Sequence, residues 1–486
     1  MSDLTHAEAT EMLLWANLTP AERGALRDHL ARCPACRNNA AVHVQLAREL
    51  PRQLSSMANT PAFRARFLRE VGRIDRRKQW TGPLYGLAKA VMLALLVAVG
   101  WLFWSVQREQ VVPAEIGAEP VATDGQVVLA DEDTPEPTAV ARGSVVVASV
   151  PAPSLQGARL EHAAEQTVAI YLPPSYEQSE RRYPVVYWLS PGEGPSRGPY
   201  GIGEVQQVMD ALLASGAVQE MIVVVPPICS SYGCRVFYHN SPANGNWADF
   251  LLEDVVGYVD ANLRTIADPG ARGLGGAAFT ATNALDIAMQ HPGVFGAVYL
   301  KHPLLFAPGT MDDSFILSPQ SVQGVLALLD ELEGLTPQAA HERFTGFLQE
   351  RDRLFDQMLA VSYGMTYAPN AEGRAPYFDY LYVAEGEPAA DDVWARWEQG
   401  YGQIPQKVAQ YADALRRLEG LYIEYSPHIL TFSWSSEGAP YLAEQLAQQG
   451  IPFTLETYVG SAMLDTIPRM EQAMFPFFSE TLGGES

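Results

Sequence analysis

The chain has 486 residues, of which 48% are hydrophobic and 18% charged, and its formal net charge at pH 7 is −23. This length exceeds that of one ordinary domain, and the composition excludes a disordered, collagenous or coiled-coil protein. A strongly negative charge repels phosphate backbones, which excludes nucleic acid as a direct partner.

The charge is unevenly distributed along the sequence. Residues 1–80 contain 13 Lys and Arg against 8 Asp and Glu, a net charge of +5, which leaves −28 for the remainder. The four cysteines form two local pairs, one in each part, so no disulfide framework spans the chain. The two parts are therefore expected to face different compartments.

A compact cysteine and histidine motif lies in residues 1–50. Thr19 and Pro20 are typical of a helix start. His29 and Cys33 are spaced to share a helix face, and Cys36 completes a Cys-x-x-Cys pair. Three convergent ligands of this kind suit Zn²⁺, so we predict a small all-α zinc-binding domain.

This motif and the preceding LTPAERGALRDHLARCPACR resemble the zinc-binding anti-sigma domain. The resemblance implies a partner, a sigma factor of the extracytoplasmic-function type. It also implies a fourth zinc ligand near the start of the first helix, where His6 stands. Because the spacing from His6 to His29 is shorter than in the family, His43 is the substitute candidate. A metal-free helical bundle is the alternative.

Residues 51–82 are predicted to form a juxtamembrane segment. Apolar Phe63, Phe67, Val71 and Ile74 follow a helical period within residues 62–79. Such an amphipathic helix could bind a partner protein, and its arginines equally suit a helix that rests on anionic lipid.

Residues 83–106 are predicted to form one transmembrane helix. From Leu84 to Val106 the only charge is Lys89, and the length suits a lipid bilayer better than the alternatives, a buried core helix or a cleaved signal peptide. Five basic residues lie in residues 69–78, whereas Arg108 is alone after the span. The positive-inside rule then places the N-terminus in the cytoplasm and the C-terminal part outside, in a bacterial inner membrane if the anti-sigma resemblance holds.

A flexible linker is predicted for residues 107–150, because this stretch is rich in Pro, Ala and acidic residues and lacks sustained helical periodicity.

Residues 151–486 are predicted to form an α/β domain with a mostly parallel central sheet. The runs TVAIYLPPSY, YPVVYWLSPGEG and EMIVVVPP are apolar, β-branched and end at Pro or Gly. Together with ALDIAMQHPGVFGAV, the order of these elements resembles the esterase D-like branch of the α/β-hydrolase fold over most of residues 160–480. That resemblance implies a serine nucleophile, an acid and a histidine in this chain order.

All three catalytic positions implied by the resemblance are substituted. Ala278 stands at the nucleophile, Ile429 at or beside the acid, and Ala462 at the histidine. In the oxyanion loop, Ser190 and Pro191 replace His-Gly, and proline has no N–H to donate. A methyl group cannot attack a carbonyl, so we expect a pseudoenzyme with no catalytic residue at these positions.

A residual pocket is expected beside the substituted triad, and the helical segment 303–367 is expected to cap its mouth. The candidate lining residues, each of which equally suits a packing or surface role, are Ser190, Trp247, Phe279, His302 and His428.

Cys229 and Cys234 form a candidate disulfide if this domain faces an oxidising compartment, with free thiols as the alternative.

The sequence thus favours a single-pass membrane regulator with a sigma-binding zinc module and an outer, catalytically degenerate esterase-like domain that senses or binds an unidentified ligand or protein. The alternative is a membrane-anchored esterase or deacetylase with a displaced catalytic site. A third class, a protein-binding domain without small-molecule recognition, predicts a filled pocket.

Overall fold

The computed structural model describes residues 142–191, 201–227, 229–230, 233–234, 237–350, 355–427, 433–460 and 465–483. The chain divides into two units, Met1–Thr138 and Ala139–Ser486, and all described residues lie in the second. In these ranges no helix combines the length and the hydrophobicity that a bilayer crossing requires. The predicted zinc module, the juxtamembrane segment, the span 83–106 and most of the linker lie outside the described residues.

An eight-stranded sheet forms the centre of the second unit. Its strands are β1 (Ser144–Pro151), β2 (Glu165–Leu172), β3 (Val185–Leu189), β4 (Ile222–Val225), β5 (Arg272–Ala277), β6 (Ala297–Lys301), β7 (Gly420–Tyr425) and β8 (Thr454–Thr457). In space the order is β1-β2-β4-β3-β5-β6-β7-β8. Only β2 runs against its neighbours, and all other adjacent strands are parallel. This topology is that of an α/β-hydrolase-like domain.

The first strand corrects the predicted domain boundary. β1 begins at Ser144, inside the stretch 107–150 that we expected to be linker. Three consecutive valines, Val145 to Val147, favour a strand, and all eight residues of β1 pair with β2. The domain therefore starts before residue 151.

Successive side chains of a strand point to opposite faces of the sheet, and both faces are packed. In β3, Val185, Tyr187 and Leu189 face one core, whereas Val186 and Trp188 face the other. This follows from the two-residue period of a strand, and a sheet buried on both faces is typical of parallel α/β folds.

Helices cover both faces of the sheet. The helices are α1 (Ile202–Ser215), α2 (Trp247–Asp249, a π-helical turn Phe250–Val255, then Val256–Asn262), α3 (Phe279–Gln290), α4 (Pro319–Glu333), α5 (Pro337–Gln349), α6 (Phe355–Tyr367), α7 (Asp391–Tyr401), α8 (Ile404–Gln410), α9 (Ala412–Leu415), α10 (Gly438–Gln448) and α11 (Thr466–Arg469, a π-helical turn Met470–Met474, then Phe475–Thr481). α2, α3 and α10 pack on one face, and α1 and α11 pack on the other.

A helical insertion between β6 and β7 builds a third core. It comprises α4 to α7, and short local signals start two of its helices. Ser318 and Thr336 each accept a backbone N–H with the side chain, and a proline occupies the first helical position. We call α4 to α7 the cap. Its position agrees with the helices expected in residues 303–367.

Candidate functional site

The turn between β5 and α3 has the geometry that exposes a nucleophile in hydrolases. Ala278 occupies it with φ of 53° and ψ of −124°, a backbone conformation that residues other than glycine rarely adopt. A strained strand-to-helix turn of this kind is the nucleophile elbow. The structure therefore places the alanine, with its inert methyl group, where a hydrolase holds its reactive oxygen.

Two neighbouring residues hold the elbow in place. A Cβ at Gly276 would lie 2.4 Å from the backbone oxygen of Thr280, so only glycine fits there. The Thr280 hydroxyl accepts the N–H of Ala277 at 3.0 Å, and its own hydrogen lies within reach of the carbonyl oxygens of Leu189 at 2.5 Å and Ala277 at 2.8 Å. Because Thr280 is fully buried in these bonds, it does not replace the missing nucleophile.

The elbow is buried in an aromatic cluster. Ala278 is 0% exposed and Phe279 2% exposed. The ring of Phe237 lies 6.0 Å from that of Phe279, edge to face, and it also contacts Tyr363 of α6 and Tyr401 of α7. These rings and Ala278 belong to the same core, so the described residues bury the elbow.

The structure brings His302 next to the elbow and pairs it with a serine. The N–H of Ala278 donates to the carbonyl of Lys301 at 2.9 Å, and His302 follows directly with φ of 47°. Its Nε2 lies 2.8 Å from the hydroxyl of Ser435. Both side chains are fully buried.

The other ring nitrogen of His302 determines what this pair can do. The backbone N–H of Ser426 donates to Nδ1 at 3.2 Å, so Nδ1 carries a lone pair and the proton of the neutral ring sits on Nε2. That proton is donated to Ser435. A catalytic histidine needs the opposite arrangement, in which Nδ1–H donates to an acid and Nε2 accepts the serine proton. His302 therefore does not activate Ser435.

The pKa of His302 reinforces this conclusion. Burial, together with the charge of the adjacent Lys301, lowers that pKa from 6.5 to about 3. An imidazole that resists protonation so strongly is a poor general base near neutral pH.

A buried group of charges lies beside the elbow, on the sheet face that α11 covers. Glu424 of β7 accepts Arg469 Nε at 2.7 Å and the hydroxyl of Tyr299 at 2.5 Å. Lys301 of β6 donates to the Tyr458 hydroxyl at 3.1 Å. Burial raises the pKa of Glu424, opposed by Arg469 and Tyr299, and burial lowers the pKa of Lys301 to about 8. We call these five residues the charge network.

The charge network joins the central strands to the end of the chain. Glu424 and Lys301 stand opposite each other in the register of β6 and β7. Arg469 lies on α11, and Tyr458 precedes the stretch that contains Ala462. These residues are not among the candidates predicted from the sequence, although a charged residue inside or at the end of an apolar strand is a usable signal.

Of the other candidate pocket residues, Ser190 lies near the elbow and Trp247 lies in the core of the sheet. Ser190 is buried at the end of β3, directly after the carbonyl that Thr280 contacts. Trp247 packs edge to face against His162 and Phe250 in the sheet core rather than the cap core. His428, Ile429 and Ala462 lie outside the described residues.

Two further candidate sites are the cysteine pair of this domain and the proposed zinc ligands. Cys229 and Cys234 stand opposite each other in a two-residue antiparallel ladder, a spacing of Cα atoms that a disulfide can bridge, so the disulfide stays a prediction. Within the described ranges, no group of three His, Cys, Asp or Glu side chains is placed to hold a metal ion. The proposed zinc ligands His6, His29, Cys33 and Cys36 lie outside those ranges.

Comparison with known proteins supports the esterase-like assignment of the second unit. Residues 161–315 match the family described as "Putative esterase". Among solved structures, a ferulic acid esterase is 18% identical with a TM-score of 0.42, covering 70% of this chain and 99% of its own. An S-formylglutathione hydrolase from Agrobacterium tumefaciens is 14% identical with a TM-score of 0.41, covering 71% of this chain and 98% of its own. The family match gives the chain an esterase-like domain.

The elbow generates a stability prediction for Thr280→Val. This change keeps the side-chain shape but removes the hydroxyl, which leaves the buried N–H of Ala277 without its acceptor. We expect the free energy of unfolding to fall by about 1–3 kcal/mol, measured by chemical denaturation with near-UV circular dichroism. The control is Thr345→Val, whose hydroxyl bonds only to carbonyls of its own helix, with an expected change within about 0.5 kcal/mol. Equal effects in both variants would contradict the role given to Thr280.

The pKa of His302 generates a pH prediction. Its folded-state value of about 3 lies below the ordinary 6.5, so between these values the unfolded chain binds more protons and stability falls as the pH falls. We expect His302→Asn to reduce the slope of unfolding free energy against pH, measured from pH 4 to 6, by up to about 1.4 kcal/mol per pH unit.

The matched control for the pH experiment is Ser435→Ala, which removes the partner and keeps the buried imidazole. Its slope should equal that of the wild type, even if its stability is lower. A wild-type slope in His302→Asn would show that His302 titrates normally in the folded chain.

Proposed function

We propose that the esterase-like domain is a non-hydrolytic binding domain. The observation that carries this proposal is the elbow, where Ala278 holds the strained backbone of a nucleophile with a methyl group and no exposed surface. Covalent acyl transfer needs an oxygen or sulfur at this turn and a path for the substrate. At this turn the described structure has a methyl group, and Ala278 is 0% exposed.

Two further features support the loss of hydrolysis. In the esterase D-like family that the chain resembles, the oxyanion loop donates a backbone N–H. Pro191 stands at this place, and proline has no N–H to donate. Ala278 is buried in one apolar cluster with Phe237 and Phe279. A buried elbow favours recognition at the surface of the domain over a small ligand held at the elbow.

We further propose that the whole chain is a single-pass inner-membrane regulator. In this proposal, His29, Cys33, Cys36 and either His6 or His43 hold Zn²⁺ in a cytoplasmic module that binds a sigma factor. The bound metal would fix the fold of the module. The support is the sequence alone, namely the ligand spacing, the apolar stretch of residues 84–106 and the basic residues before it. The esterase-like domain would then lie outside the membrane.

An esterase with a displaced site is the second candidate function. The family match over residues 161–315 favours it over the regulatory role, and the contact between Ser435 and His302 is the arrangement that could supply it. The contact of Nδ1 with the backbone N–H of Ser426 supports the non-hydrolytic proposal instead, because it leaves the proton of the neutral ring on Nε2, which then donates to the serine. Both side chains would also have to become exposed.

The hydrolysis prediction separates the two candidates. The full chain should hydrolyse short acyl esters, a ferulic acid ester and S-formylglutathione no faster than buffer, and a serine-directed fluorophosphonate should not label it. Ala278→Ser should stay inactive, because a serine without a base and an accessible oxyanion site is a weak nucleophile.

The outcome that would promote the esterase is also specific. Hydrolysis that survives purification and disappears in Ser435→Ala, but not in the exposed control Ser215→Ala, would overturn the non-hydrolytic proposal.

The regulatory proposal predicts metal content and partner capture together. The full chain, purified under reducing and chelator-free conditions, should contain about one zinc per chain and should retain a sigma factor from its own cells. Cys33→Ser and Cys36→Ser should lose both, whereas Cys229→Ser should lose neither. Elemental analysis and mass spectrometry of the captured protein are the measurements.

The fourth ligand is tested by a separate pair of variants. Zinc loss in His6→Ala assigns that residue, and zinc loss in His43→Ala alone assigns the substitute. Absence of zinc from the wild-type chain would end the metal proposal.

A further inference from the structure

A groove lies at the opposite side of the domain from the cap, between the last strand of the sheet and the last helix. It encloses about 590 Å³ and is lined by the starts of β7 and β8 and by one side of α11. None of the candidate pocket residues lines it.

The floor of the groove is aromatic. Tyr422, Phe453 and Phe477 line it and are each half-buried, and the rings of Tyr422 and Phe477 lie 5.3 Å apart. Partly exposed aromatic faces attract ammonium and guanidinium groups.

The charged side chains that line the groove are all negative. Its lining includes the exposed carboxylates Glu419 and Glu480 and no Lys, Arg or His. The surrounding sequence, residues 142–486, contains 18 Lys and Arg against 40 Asp and Glu, so the wider field also attracts a cation. A partner that fits this groove carries positive charge.

A strand edge begins at the groove, which is lined by Thr454, the first residue of β8. Among the described residues, β8 (Thr454–Thr457) is the last strand of the sheet and pairs with β7 on one side. All four of its residues are exposed, Leu455 to 39%. A strand edge of this kind presents backbone N–H and C=O groups that can pair with another extended segment.

From these features we propose that the edge of β8 binds an extended basic peptide segment of a partner protein. The segment adds a strand beside β8, and every second side chain, Lys or Arg, enters the groove over Tyr422 and Phe477 towards Glu419 and Glu480. The two-residue period of a strand places these side chains on one face. The proposal does not depend on the chemistry of the elbow, and its test reads binding whether or not an ester is hydrolysed.

The test uses the full chain and three fluorescent hexapeptides. The first is Thr-Arg-Val-Arg-Val-Thr, the second replaces both Arg by Glu, and the third keeps the Arg but carries N-methyl groups on alternate backbone nitrogens. Fluorescence anisotropy should show binding of the first peptide, and at least tenfold weaker binding of the other two. Added salt should weaken the binding of the first.

Matched charge variants locate the site. Glu419→Gln combined with Glu480→Gln should weaken the first peptide about fivefold, because both changes remove exposed charges at the groove. Glu385→Gln combined with Glu387→Gln, on the exposed hairpin of residues 382–388, should leave the affinity unchanged.

Several outcomes would overturn the proposal. Absence of binding by the basic peptide, or equal binding of the acidic peptide, would rule out recognition of the peptide by its charge. Equal binding of the N-methylated peptide would rule out the addition of a strand beside β8. An unchanged affinity in the Glu419 and Glu480 double variant places the site elsewhere. A dimer of the chain that this double variant dissociates, seen by sedimentation, would assign the groove to a second copy.

Discussion

The tight turn at Ala278 is the constraint on which the site depends. β5 must reverse into α3 within one residue, and this is possible because Gly276 lacks a Cβ and Thr280 bonds the strand end to β3. The turn persists without a reactive side chain because it is part of the connection between sheet and helix. The backbone geometry of the turn is therefore evidence about the fold. Evidence about the chemistry comes from the side chain at this position, where alanine has no oxygen on Cβ.

Ala278 lies in the packed core that the cap helps to build. In this core Phe237 contacts Phe279 and the rings of Tyr363 in α6 and Tyr401 in α7. A packed aromatic core resists the entry of a ligand because opening it exposes apolar surface. The surface available to partners then lies at the sheet edges and on the outer helices. The groove beside β8 is at such an edge.

Much of the fold could be predicted from local patterns, whereas the contacts near the elbow could not. The apolar runs within residues 165–225 indicated β2, β3 and β4, and the expected elbow coincides with the positive φ of Ala278. The strand at Ser144 was missed because its acidic, Pro-rich surroundings dominated the composition. The contact of His302 with Ser435 joins residues 133 apart, and no local periodicity reports such a distance. The same holds for Glu424 and Arg469, which meet only when β7 and α11 pack together.

The proposed loss of hydrolysis does not rest on one residue, and this affects what a single substitution is expected to restore. The groups of a catalytic site act as a unit, so their contributions are strongly non-additive. A serine at position 278 would still be buried in the cluster that contains Phe237. It would also lie near Pro191, which has no N–H, and His302, whose ring proton is on Nε2. Moving the ring proton from Nε2 to Nδ1 requires the backbone N–H of Ser426 to leave Nδ1. This in turn requires the end of β7 to move. The neighbouring charge network opposes such a movement, because Glu424 in that strand is held by Arg469 and Tyr299 in the buried interior. A shift would separate these groups where water cannot replace their bonds, at a cost of several kcal/mol.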